Sequence, residues 1–159
     1  MVLLAVVVAL ILRPWEGASD GGESGPPTAS ATVLRAIDGD TIEVRVGGRT
    51  EDVRYIGVDT PETVKPDTPV QCFGPRASHF NHRLTEGRRV RLVFGVERRD
   101  VYGRLLAYVY LGHSFVNAML VRRGLARTLT IAPNDRYAPL FRRLALRAAR
   151  AGRGLWGRC

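Results

Sequence analysis

The chain has 159 residues, 45% of them apolar, and a net charge of +9 at neutral pH. That length holds one ordinary domain with a single core and a tail, and the apolar fraction is that of a normal globular protein. The charge is almost entirely arginine, 23 residues against the single lysine Lys65; from Thr32 onward 23 basic side chains face 12 acidic ones, a net of +11. Such a surface attracts polyanions, with nucleic acid ahead of anionic membrane or acidic polysaccharide.

Residues 2–12 are an unbroken apolar run, followed by Arg13-Pro14-Trp15. The run is short for a bilayer span and has the length of a secretory hydrophobic region. No basic residue precedes it. Glu16-Gly17-Ala18 is a poor cleavage site, and Ala29-Ser30-Ala31 lies well downstream. Residues 1–15 are therefore expected to be a signal peptide or an N-terminal membrane anchor, with transient membrane association through residues 2–12. Residues 16–31, rich in Gly, Ser, Pro and acids, read as a flexible linker, and residues 32–159 as the folded domain. The competing reading makes the run a buried element of that domain. Export would place the protein outside the cell or at the outer face of the membrane, where Cys72 and Cys159 would form one disulfide. A zinc site from Cys72, His79 and His82 lacks the usual ligand spacing.

In chain order, Thr32–Ile37 reads as a strand that enters a turn at Asp38-Gly39. Thr41–Val46 alternates, with Ile42, Val44 and Val46 on one face, and Gly47-Gly48 turns into a third strand, Val53–Val58. Asp59-Thr60-Pro61 ends that strand, since proline fits a strand interior poorly. The segment from Glu62 to Gln71 is a loop expected to move. Gly74-Pro75 opens a helix that runs to Gly87. Strands at Arg88–Phe94 and Leu105–Leu111 flank the polar turn from Glu97 to Gly103. Helices follow at Phe115–Arg123 and Tyr137–Ala151, the latter with Leu140, Phe141, Leu144, Ala145 and Ala148 inward and Arg142, Arg143, Arg147 and Arg150 outward. Five strands with a helix between the third and fourth predict an α+β, mainly β fold: a five-stranded barrel of the oligonucleotide-binding (OB-fold) type with three helices.

Five charged residues fall at strand ends: Asp40, Arg54, Asp59, Glu62 and Arg104. Phosphodiester hydrolysis needs an attacking water, relief of charge on the nonbridging oxygens, and often a metal. Asp40 and Asp59 offer two hard carboxylates, and the carbonyl near Thr60 a third oxygen; calcium accepts such a partial cage completed by water, and two firm ligands suggest one metal. Arg54 and Arg104 would clamp the phosphate from either side, and Glu62 would orient or deprotonate the water. Each arginine could instead form a surface ion pair, and Glu62 could be a solvated loop residue.

The strings IDGDT (37–41), VRYIGVDTPE (53–62), FGPRAS (73–78), DVYGR (100–104), LVRRGLA (120–126) and GLW (154–156) occur in this order, and together the chain resembles the staphylococcal nuclease (thermonuclease) family from Val33 to Trp156. The resemblance implies a five-stranded barrel with three helices and calcium-dependent cleavage of DNA and RNA to 3′-phosphate ends. It makes Asp40, Asp59 and the Thr60 carbonyl calcium ligands, Arg54, Glu62 and Arg104 catalytic, and Tyr102 a nucleotide contact; a core role for Tyr102 is the rival. Asp38 becomes a support of the metal ligands or a turn residue. Leu129 and Ile131 stand where the family's best-known member has tyrosines, and Val101 where it has a lysine, which puts base stacking and terminal-phosphate binding in question. A monomer is expected. Two other classes fit part of the pattern: a non-catalytic nucleic-acid-binding barrel, and an exported wall- or glycan-binding barrel, which leaves the two aspartates unexplained.

Overall fold

A computed structural model describes residues 25–63, 67 and 69–159. The expected signal peptide or anchor therefore lies outside the described residues, and no helix among those described is long and apolar enough to cross a membrane. In chain order the elements are β1 (Thr28–Ala36), β2 (Thr41–Val46), β3 (Arg49–Tyr55), β4 (Val58–Asp59), α1 (Gly74–Thr85), β5 (Arg89–Arg99), β6 (Leu105–Leu111), β7 (Ser114–Phe115), α2 (Val116–Arg122), β8 (Arg127–Thr128), α3 (Ala138–Arg150) and the single turn α4 (Leu155–Arg158).

The alternation in β2 does what its period dictates: Ile42 and Val44 are fully buried, while Glu43 between them is half-buried and Arg45 after them exposed. β1, β2 and β3 form an antiparallel meander, β1 also pairs with β5, and β5 with β6. β3 then pairs in parallel with β6, Arg54 opposite Leu106, and this closes the five long strands into a barrel. Closure leaves no long open edge and surrounds a core that includes Val33, Tyr55, Leu92, Val109 and Leu120. The expected OB-type barrel is the fold, with α1, α2 and α3 as its three helices and α4 as an addition.

Several boundaries differ from the sequence expectation, among them the end of β5, which runs on to Arg99 through the first residues of the turn expected at Glu97–Gly103. The first strand starts at Thr28, where Thr28 to Thr32 pair with β5, so residues 28–31 of the expected linker belong to the sheet. Thr28, Ala29, Ser30 and Ala31 are too small to carry a strong strand signal, and β5 supplies the order. The strand expected over Val53–Val58 is broken. β3 ends at Tyr55, Gly57 takes φ +82, and Val58-Asp59 pairs instead with β8. The break is held by tertiary contacts: the Ile56 N–H donates to the Ala107 carbonyl at 3.0 Å, and the Ile56 carbonyl accepts from Asn117 Nδ2 at 2.8 Å. Phe141 of α3 packs where any side chain on Gly57 would have to sit. Glycine is needed there twice over, for its backbone angle and for the closeness of that ring.

Cys72 and Cys159 are joined by a disulfide that ties the C-terminus to the segment just before α1. Closing a loop of 87 residues removes chain entropy from the unfolded state, an effect of about 4.6 kcal/mol at most in the loop-entropy account. Replacing both cysteines with serine should lower the unfolding free energy by about 2–4 kcal/mol, read from a urea melt whose slope rises as the unfolded chain expands; a change too small to resolve would show that the bond constrains little.

Candidate active site

The site grows from the turn between β1 and β2. The Asp40 N–H donates to Asp38 Oδ1 at 2.9 Å, an Asx turn that sets the direction of the chain into β2. Asp38 thus makes the bond that the turn role requires. Gly39 lies against Thr60, whose Oγ1 is 2.6 Å from where a Cβ would stand, so only glycine lets the two segments meet. The register Thr41 opposite Arg54 then brings Asp40 beside the end of β3, where the Tyr55 N–H donates to the Asp40 carbonyl at 2.9 Å.

Asp40 is 4% exposed, the most buried carboxylate of the site. Its Oδ2 accepts from the Thr60 N–H at 2.6 Å and from Thr60 Oγ1 at 2.9 Å; its Oδ1 lies 3.1 Å from Arg54 Nη1. Arg54 also donates to the Tyr55 and Val58 carbonyls at 3.2 and 2.8 Å, and through Nη2 to Asp59 Oδ1 at 3.0 Å. One guanidinium therefore bridges the two aspartates and fastens the bend between β3 and β4. Sequence reasoning expected Arg54 as a phosphate clamp and gave Thr60 only a carbonyl; the Arg54 bridge and the Thr60 N–H and hydroxyl bonds are additional. Burial, with repulsion from Asp38, pushes the Asp40 carboxyl up to about 6, while Arg54 and Thr60 pull it down and fall short.

Arg104 comes from the turn before β6, next to β3 because of the parallel pairing. Its Nε and Nη2 each lie 2.7 Å from Asp100 Oδ2, and Asp100 Oδ1 accepts the N–H groups of Tyr102 and Arg104 at 3.0 Å. Asp100 was not singled out from the sequence, although an aspartate four residues before the arginine, with Gly103 at φ +82 between them, is the signature of a turn that folds back on its own side chain. Tyr102 is 81% exposed, so it is no core residue, and the Arg104 guanidinium lies 5.2 Å from its ring centre.

Glu62 follows β4. Its N–H donates to Gln71 Oε1 at 3.0 Å, its carbonyl accepts from the Gln71 N–H at 2.9 Å, and its Oε1 accepts from the Thr63 N–H at 2.8 Å. Glu62 thus stands where the two ends of its loop are hydrogen-bonded together. Asp40, Arg54, Asp59, Thr60, Glu62 and Arg104 line one cleft of about 500 Å³. A smaller pocket of about 310 Å³ adjoins it and shares Arg54, Tyr102 and Arg104; Val101, Leu106, Leu129 and Ile131 make its wall aliphatic. Asn134, also missed from sequence, fixes that wall through two hydrogen bonds to the backbone of Glu97.

Among the described residues no three His, Cys, Asp or Glu side chains gather as a metal-binding group. Asp40, Asp59 and Thr60 line the same cleft, and the donors that they offer there are oxygens, a chemistry that suits a hard cation and not zinc.

Comparison with known proteins gives a consistent answer. A family model described as "Staphylococcal nuclease homologue" matches residues 52–158. The chain is 41% identical to a thermonuclease of Staphylococcus intermedius and 39% identical to one of Staphylococcus hyicus, each over 160 aligned residues that cover 99% and 97% of this chain and 95% of either relative. It is 47% identical over 115 residues to endonuclease YncB of Bacillus subtilis, covering 71% of this chain and 54% of that protein.

The raised Asp40 pKa fixes the sign of a pH effect. A carboxyl that binds its proton more tightly folded than unfolded costs stability once ionised, so the cost is absent below about pH 4 and complete above about pH 6. In chelator, Asp40→Asn should stabilise the protein at pH 7, by up to about 3 kcal/mol, and the gain should vanish by pH 4. Thermal melts across that range check it; a gain that does not depend on pH would locate the effect elsewhere.

Proposed function

The chain belongs to the staphylococcal nuclease family, and from that premise we propose that it is an exported, calcium-dependent nuclease that hydrolyses phosphodiester bonds of DNA and RNA and leaves 3′-phosphate ends. The carrying observation is that Asp40, Arg54, Asp59, Glu62 and Arg104, supplied by separate parts of the barrel, line one cleft. Pure binding needs no such set.

In this reading Asp40, Asp59 and the Thr60 carbonyl hold calcium. When bound, calcium would polarise the phosphoryl group as a Lewis acid. Glu62, fixed at its backbone by Gln71, takes the proton of the attacking water. Arg104 is presented by the Asp100 turn, and its guanidinium stabilises the charge that grows on the nonbridging oxygens. Arg54 contributes the same charge from the opposite wall while it holds the two aspartates together. Tyr102 and the aliphatic pocket beside it receive the sugar and base by apolar contact, in place of a stack between tyrosines. Export is supported by the apolar run at residues 2–12 and by the disulfide, a bond that persists in oxidising compartments.

Purified full-length protein with calcium should cut plasmid, single-stranded DNA and RNA, and excess chelator should stop it. Products should resist 3′ extension until treated with a phosphatase. Glu62→Gln and Arg104→Ala should each lower kcat by about two to four orders of magnitude with an unchanged melting temperature. A protein that shifts DNA on a gel and leaves it uncut with calcium would instead be the non-catalytic binding barrel; near-normal rates in either variant would remove that residue from its role.

A further inference from the structure

Charge is segregated in this molecule. The cleft carries five carboxylates, Asp38, Asp40, Asp52, Asp59 and Glu62, against the guanidiniums of Arg54 and Arg104. Its formal charge of −3 repels a polyanion. Past Asp135 the chain has seven arginines and no acidic side chain. On α3, Arg142, Arg143, Arg147 and Arg150 are all exposed, and none has an ion-pair or hydrogen-bond partner among the described residues. They surround Leu146, which is 52% exposed.

Resting on the nuclease reading, we propose that this face of α3 is a separate binding site for the phosphate backbone of a long polynucleotide, an anchor outside the cleft. From Arg142 to Arg150 the helix rises about 12 Å, the axial run of three to four phosphates on one strand of a duplex at about 3.4 Å each. All four cations are arginines, whose forked donors match phosphate oxygens in pairs. The path between cleft and helix is also basic: β8, which packs against α3, sets the exposed Arg127 opposite Asp59. Membrane binding fits less well, because an interfacial helix needs a broad free apolar face. Here Phe141 and Ala148 are already buried in the fold, and Leu146 stands alone.

The test measures binding of fluorescent single-stranded DNA, 5 and 20 nucleotides long, to full-length protein in chelator, where no turnover occurs. The variant R142Q/R143Q/R147Q/R150Q should bind the 20-mer at least about tenfold more weakly at low salt, and its log–log salt slope should fall by up to about 3. With calcium, its kcat on a p-nitrophenyl thymidine phosphate ester should match wild type. Unchanged affinity and slope for the 20-mer would overturn the proposal. So would loss of binding to phosphatidylglycerol vesicles with DNA binding intact, which would make the face a membrane contact. The double variants R142Q/R143Q and R147Q/R150Q, each expected to lose about half the slope change, decide the matter if the quadruple variant melts early. Because binding is read without catalysis, a protein that cuts nothing but still loses 20-mer binding on these substitutions would refute the nuclease reading and leave the anchor standing.

Discussion

The buried carboxylate of Asp40 is the constraint around which the rest of the site is arranged. An ion with 4% exposure stays charged only if donors and cations surround it. Thr60 brings two donors and Arg54 a cation, and neither comes from Asp40's own strand. Each then needs its own support. Thr60 reaches Asp40 only because Gly39 has no side chain, and Arg54 is aimed by the carbonyls of Tyr55 and Val58, which face it only because the chain bends at Gly57.

That bend depends in turn on the far end of the chain. Phe141 seats itself against Gly57, α3 packs on α2, and the disulfide fastens the residues beyond α3 to the start of α1. A local feature of four residues is thus held by elements that follow it in sequence by more than half the chain. The parallel pairing of β3 with β6 does the same for the opposite wall, since it is what sets the Asp100–Arg104 turn beside Arg54.

Much of this was legible in the sequence, and the boundary of legibility is physical. β2 and the helical face of α3 carry their own periods, so their buried residues could be named in advance. The charged residues could be gathered because strand ends and turns mark themselves with Gly, Pro and Asp. The break after Tyr55 left a mark, since the buried positions shift phase there from Val53 and Tyr55 to Ile56 and Val58, but a short apolar run also reads as one continuous strand. The Phe141 ring, the Asn117 amide and the Ala107 carbonyl, all distant in sequence, decide it. Residues 28–31 failed for another reason, their side chains being small enough to read as linker until β5 pairs with them. Asp100 was hidden by its role, since an aspartate that orients an arginine looks like any turn aspartate.

The Arg54 bridge also bears on how the site can handle phosphate. A guanidinium that spends its donors on Asp40, Asp59 and two carbonyls has little left for a substrate oxygen. Its availability therefore rises as its two aspartates are compensated by something else. Arg104 stands differently: its single acidic partner is on its own turn, and the ring of Tyr102 lies beside it at the cleft. The two arginines are thus unequal. Arg104 is held by one acid of its own turn, whereas Arg54 keeps two like charges close together, a state the fold would otherwise oppose.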